Sequence, residues 1–272
     1  MTTFGARLHA AMLDRGPLCA GIDPHPGLLR AWGLDEDPAG LERFAMTAAE
    51  ALAPRVAVVK PQSAFYERLG SRGIAVLERL IVTCRDAGSL VLLDVKRGDI
   101  GSTTQAYADA YLDPSSTLAV DAITASPYLG FGSLGPMVDT ARKHDAGLFV
   151  LAPTSNPEGP EVQGARTDGG TVADVVLDHL RELNRDADPL GDFGAVVGAT
   201  IDGGDHRFDI NGPILAPGYG AQGGTLADLH RIFGAAARHV LPSTSRELLG
   251  AGPAGLGAAA DRQNDQLREL LG

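Results

Sequence analysis

The densest concentration of reactive side chains in the chain is the run Leu93-Asp94-Val95-Lys96-Arg97-Gly98-Asp99-Ile100-Gly101-Ser102-Thr103. Its Asp-x-Lys-x-x-Asp spacing sets a lysine between two carboxylates. On a strand, Asp94 and Lys96 project from one face and Val95 from the other, while Asp99, past Gly98, belongs to the following loop. Flanking carboxylates keep an ammonium charged. A lysine so held can give a proton to a developing carbanion. An ordinary ion pair within a loop would use the same residues, and spacing alone does not separate the two. A second lysine, Lys60, ends the apolar run 56–59, and Asp23 ends the run 17–22.

Toward the C-terminus, Gly218-Tyr219-Gly220-Ala221-Gln222-Gly223 formally matches the Gly-x-Gly-x-x-Gly dinucleotide fingerprint. It follows an apolar run and precedes a helical pattern at 226–237, as that fingerprint requires. The next apolar run, 239–241, ends without an acidic residue to hold a ribose. Together with Ser245 and Arg246, whose guanidinium offers a planar fork of donors, the loop reads better as a phosphate grip. The histidines form no His-x-His or His-x-x-x-His pair. Asp202, Asp205 and His206 read as an acidic loop rather than a metal site, and no metal is expected. Cys84 reads as a small core residue of a helix, and Cys19 lies inside the first apolar run.

These residues need a frame that brings them together. Eight short apolar runs recur, at 17–22, 56–59, 90–95, 119–124, 147–152, 194–199, 213–216 and 239–241. Most are continuously apolar (VAVVK, LVLLDV, GLFVLA), the pattern of parallel strands buried on both faces. Between them lie segments of 3.6-residue period, among them 74–87, 134–144 and 172–183. Strand and helix alternating eight times predict a closed (β/α)8 barrel, with an open doubly wound sheet as the alternative. In such a barrel the chemistry gathers where strands end. Those ends here carry Asp23, Lys60, Asp94-x-Lys96-x-x-Asp99, Thr124-Ala-Ser126, Thr154-Ser155-Asn156, Thr200, the glycine loop and Ser245-Arg246. Charges at strand ends also arise simply because strands end at solvent. That account weakens for the whole set, since two otherwise apolar strands end in lysine. The Gly/Pro-rich segment 153–170 reads as a lid or binding loop, or else as a disordered stretch, and 201–212 is too short and glycine-rich for a full sixth helix. No linker divides the chain, so one barrel domain over residues 1–272 is expected.

Composition narrows the function classes. The chain has 272 residues, with 23 Lys plus Arg against 34 Asp plus Glu, a formal net charge of −11. That balance argues against a general nucleic-acid binder, which needs a basic face to displace counterions. No apolar run approaches the roughly 18 residues of a membrane span. The first residues show no apolar signal core or cleavage site, and two cysteines make no disulfide framework, so a reducing cytoplasm is expected. What remains is an enzyme-sized barrel domain, 44% hydrophobic.

The sequence resembles the orotidine 5′-phosphate decarboxylases, in their longer bacterial subgroup. The resemblance is carried, in order along nearly the whole chain, by Ile22-Asp23-Pro24, Val59-Lys60-Pro61-Gln62, the run from Asp94 to Thr103, Thr154-Ser155-Asn156-Pro157, Val197-Gly198-Ala199-Thr200 and the stretch from Pro217 to Gly224. The run DVKRGDIGST is the most specific of these. Pro-Ser-Thr-Ser-Arg at 242–246 is less typical, the family showing Gly-Arg or Ser-Arg there. The resemblance implies conversion of orotidine 5′-monophosphate to uridine 5′-monophosphate without a cofactor, the last step of de novo UMP synthesis. It implies Lys96 as the proton donor to C6, Asp94 facing the substrate carboxylate, and Lys60 holding Asp94 and the ribose. It further implies Asp23 on the ribose, Ser155 on the pyrimidine edge, and Gln222 with Arg246 on the phosphate. Asp99, with Ile100 and Thr103, would reach across the two-fold interface of a homodimer. Magnesium-dependent ketose- or hexulose-phosphate lyases resemble this chain in the same Asp-x-Lys-x-x-Asp core, but Leu92-Leu93 stands where that branch would carry a carboxylate. A non-catalytic barrel binding a phosphosugar or nucleotide would need the grip but not both lysines.

Overall fold

The computed structural model describes residues 2–220 and 223–271. Eight parallel strands close into a barrel: β1 Cys19–Ile22, β2 Val58–Pro61, β3 Leu90–Arg97, β4 Ala122–Ala125, β5 Gly147–Leu151, β6 Phe193–Val196, β7 Ile214–Pro217 and β8 Val240–Thr244. Each strand pairs with the next, and β8 pairs with β1. The continuous apolar runs have the cause expected of them, because one face of each strand fills the barrel and the other packs under the helices. Helix Gly70–Asp86 buries Val76, Leu77, Leu80, Ile81 and Cys84 against that outer face. Helix Val172–Leu183 starts at a reciprocal capping box, Thr171 with Asp174, which satisfies donors at its first turn.

The N-terminal helix Phe4–Arg15 plugs the barrel at the N-terminal ends of the strands. Its Phe4, Leu8 and Met12 recur every four residues and form one cluster with Cys19, Val58, Leu92, Ala122, Phe149, Val196, Leu215 and Leu241. The Phe4 and Phe149 rings meet edge to face at 6.1 Å. Gly147 allows this approach, since a Cβ there would lie 2.4 Å from the Phe4 ring. Burying one such ring contributes about 1.5–3 kcal/mol.

Strand positions follow the sequence more closely than strand limits. β2 and β8 run to Pro61 and Thr244, later than the apolar runs end, because polar residues at the barrel rim still pair in the ladder. The helix expected over 226–237 stops at Phe233, where Gly234 takes φ +50°, and continues as a 3-10 turn through His239. Segment 201–212 contains no helix. The long loop after β5 is partly ordered as helix Gly159–Gln163 and a hairpin of two-residue strands, Arg166–Thr167 with Gly170–Thr171.

Candidate active site

At the C-terminal ends of the strands a cavity of about 800 Å³ opens, lined by Asp23, Lys60, Asp94, Lys96, Ser155 and Arg246 among others. Neighbouring strands deliver the charged ones. Asp23 follows β1, Lys60 is near the end of β2, and Asp94 and Lys96 lie toward the C-terminal end of β3. Parallel pairing sets Gly21 opposite Lys60, so the ammonium of β2 reaches the carboxylates on either side of it.

Asp94 is the centre of the array. It is 8% exposed, and its Oδ2 accepts from Lys60 Nζ at 3.3 Å while its Oδ1 accepts from Lys96 Nζ at 2.6 Å and from the Thr124 hydroxyl at 2.8 Å. Burial alone would push this carboxyl up; the ammonium groups of Lys60 and Lys96, with the hydrogen bonds from Lys96 and Thr124, outweigh it and bring the pKa down to about 2. Burial would likewise neutralise Lys60, 5% exposed, but Asp23 and Asp94 hold it above the ordinary lysine range. The Lys96 side chain is 46% exposed and free to face a ligand. Asp23 is also tied to β2, its Oδ1 accepting from the Gln62 amide at 3.2 Å.

The two-residue spacing predicts Asp94 and Lys96 on one face of a regular strand. β3 is not regular there: its register against β4 shifts between Leu93 and Arg97, and Lys96 adopts φ +44°. The two side chains meet even so, and Val95 packs outward in the layer shared with the helices.

The residues expected to hold a phosphate come from the ends of β7 and β8. Gly218, Gly220 and Gly223 all take positive φ, and the loop folds back through Gly224 N–H to Gly218 C=O at 3.1 Å. Arg246 follows β8 and lines the cavity with Ser245. Gln222 lies outside the described residues. Ser155 is held between Thr154, whose amide donates to Gln163 Oε1 at 2.9 Å, and the backbone at Gly198. Asp99 and Thr103 do not line this cavity; Asp99 is half-buried, bonded to the Ile100 amide, and Thr103 is exposed.

Several residues the sequence left without a role belong to the site. Thr124 bonds Asp94 directly. His25 lines the cavity against Phe65, ring centroids 4.2 Å apart, and burial with the charge of Arg246 lowers its pKa against the pull of Asp23. Gln163, on the short helix of the β5 loop, clamps Thr154. Cys19 lies in the barrel interior, where burial pushes its thiol up to about 12. Among the described residues no group of three or more His, Cys, Asp and Glu is placed to hold a metal ion, and no helix is long and apolar enough to cross a membrane.

A closed (β/α)8 barrel with two lysines on a buried aspartate, beside an arginine and a glycine loop, defines a class of enzyme that works on an anionic substrate with fixed charges at its strand ends. The chain belongs to the orotidine 5′-phosphate decarboxylase / HUMPS family, whose model matches residues 16–260. It is 71% identical to the orotidine 5′-phosphate decarboxylase of a Nocardioides species, over 92% of each chain. It is 65% identical to that of Salinispora arenicola, over 100% of this chain and 99% of the other. The crystal structure of a Streptomyces avermitilis protein assigned to the same activity superposes with a TM-score of 0.96 at 58% identity, covering 100% of this chain and 96% of that one.

Proposed function

We propose that the chain, as one barrel domain over residues 1–272, decarboxylates orotidine 5′-monophosphate to uridine 5′-monophosphate without a cofactor. The observation that carries the reading is the buried Asp94 carboxylate bracketed by two ammonium groups at 3.3 and 2.6 Å. Arg246, Gln222 and the glycine loop take the phosphate. Asp23 and Lys60 take the ribose, and Ser155 the pyrimidine edge. The substrate carboxylate is then brought against Asp94, which the lysines keep ionised. Breaking the C6–carboxylate bond leaves its electron pair on C6 as carbon dioxide departs. That sp² carbanion has no simple delocalisation into a ring carbonyl, so fixed positive charge beside it is the main stabilisation available. Lys96 supplies the charge and then the proton, and regains its own from solvent after product leaves. Repulsion between the two carboxylates raises the ground state as well. Binding energy from the phosphate, distant from C6, orders the site.

The working unit in this reading is a homodimer of a cytoplasmic enzyme. Asp99, Ile100 and Thr103, which do not line their own chain's cavity, would complete the partner's in that dimer. An apolar rim supports this: Ile100, Tyr128 and Leu129 are 62, 74 and 53% exposed on the loops after β3 and β4. Those loops are packed together, since a Cβ on Gly98 would lie 2.3 Å from the Ser126 carbonyl oxygen.

The test is the ultraviolet absorbance change of orotidine 5′-monophosphate with purified protein, with and without EDTA. Chelator-resistant conversion to the uridine nucleotide is expected. No conversion by folded dimer, or conversion that EDTA abolishes, would move the assignment to the magnesium-dependent sugar-phosphate lyases or to a binding barrel.

A further inference from the structure

We propose that Thr124, on β4, is the positioning residue that builds the Asp94–Lys96 pair, its hydroxyl replacing the backbone partners that β3 loses at its bulge. A threonine hydroxyl offers one donor and two acceptor lone pairs. All three are used here. Oγ1 donates to Asp94 Oδ1 at 2.8 Å and accepts from the Val95 amide at 3.0 Å and the Lys96 amide at 2.9 Å. Thr124 is 1% exposed, so these bonds are largely shielded from solvent.

The reason lies in the ladder. β3 and β4 pair regularly at Leu92 with Ala122 and Leu93 with Ile123, then resume only at Arg97 with Ala125. Between these points β3 has extra residues, and their amides would face β4 with no carbonyl opposite. A buried unpaired amide is costly, and the Thr124 side chain satisfies two of them. Lys96 is also held at φ +44°, a conformation an L residue with a Cβ resists. The bond to its amide fixes that backbone, and the same oxygen fixes the Asp94 oxygen on which Lys96 Nζ closes at 2.6 Å. One atom therefore sets the aspartate rotamer and the root of the lysine together. Valine, which matches threonine in shape, would leave two amides orphaned and one Asp94 oxygen short of a donor.

This inference rests on Asp94 and Lys96 being the machinery of the reaction. Thr124→Val is expected to lower kcat about 10- to 100-fold, the worth of hydrogen bonds to a charged group. Affinity for uridine 5′-monophosphate, which is gripped at the phosphate, is expected to stay within about threefold, since no Thr124 bond reaches that end of the cavity. The acid limb of the kcat profile should move to higher pH, because Asp94 loses a hydrogen bond that favours its charged form. Thr124→Ser, which keeps the hydroxyl, should restore most of kcat. Wild-type kcat in Thr124→Val, or equal loss in the Val and Ser variants, would overturn the proposal. If Thr124→Val does not fold, Thr124→Ser with amide hydrogen exchange carries the test. The Val95 and Lys96 amides should be protected in wild type and in the serine variant, and free exchange at both would refute the bonds. Lys96→Ala run alongside separates the two failures: an inactive Lys96→Ala beside an active Thr124→Val sinks the positioning role alone, whereas an active Lys96→Ala sinks the underlying mechanism.

Discussion

Removing the Asp94 charge gives the sharpest test of the array's energetics. In the folded chain the Asp94 carboxyl titrates at about 2, against 3.8 for an ordinary aspartate. Because the folded pKa is depressed, the stabilisation is complete above the unfolded value. It is lost as pH falls from about 4 toward about 2. A shift of nearly two units corresponds to about 2–3 kcal/mol at neutral pH. Desolvation opposes this, so the net sign says that attraction to Lys60 and Lys96 wins at this site. Asp94→Asn should thus destabilise the protein by about that amount at pH 7 and leave Lys60 buried with Asp23 alone. Lys60→Met should cost a similar amount by removing the ammonium 3.3 Å from Asp94 Oδ2. The double variant Lys60→Met/Asp94→Asn should cost less than the sum of the two by about 1–2 kcal/mol, since the neutral pair no longer carries an uncompensated charge. Urea unfolding at pH 7 reads all three values through the fluorescence of Trp32, which packs on Phe44 and donates to the Leu249 carbonyl at 3.0 Å. Single effects that add within about 0.5 kcal/mol would refute the coupling. Wild-type stability in Asp94→Asn would refute the depressed carboxyl itself.

Two further outcomes bear on the mechanism. Lys96→Ala should lower turnover by at least the roughly 10²–10⁴-fold that a positioned proton donor contributes, with uridine 5′-monophosphate binding largely retained in a calorimetric titration; comparable turnover in the variant would end the proton-donor role. Inactive Lys96→Ala and Asp99→Ala proteins, mixed and allowed to exchange subunits, should recover roughly one quarter of wild-type activity, because random pairing makes half the dimers mixed and each of these holds one intact site; no recovery despite exchange proven by mass spectrometry would place Asp99 outside its partner's site.

Much of the frame was legible because buried parallel strands cannot hide their composition. Runs such as VAVVK and LVLLDV are apolar on both faces, and that requirement alone separates them from the amphipathic helices between. The limits were less legible. At β8, Pro242, Ser243 and Thr244 extend the ladder beyond the apolar run, because rim residues pair with β7 and β1 through their backbones whatever their side chains. The plug Phe4–Arg15 went unread for a related reason. Its Phe4, Leu8 and Met12 form a stripe that any surface helix could carry, and only the open end of a barrel makes it a lid.

The site shows the same division more sharply. Lys60, Asp94 and Lys96 could be found by type, since two otherwise apolar strands ending in lysine is more than solvent at strand ends accounts for. Thr124 could not, because a threonine near the end of a strand is an ordinary β-former until its partners are known. What makes it matter is a register shift on the neighbouring strand, and the sequence of β3 does not announce one: Leu93-Asp94-Val95-Lys96 alternates as a regular strand would. The bulge follows from pairing, which is a property of two strands together. Asp94 needs both lysines to remain ionised while buried, and Lys96 needs its backbone turned to reach Asp94 from a half-exposed position. A regular strand would satisfy the ladder and leave Thr124 without those two amides. The irregular one releases two backbone donors, and the hydroxyl that accepts them is the one that donates to the aspartate.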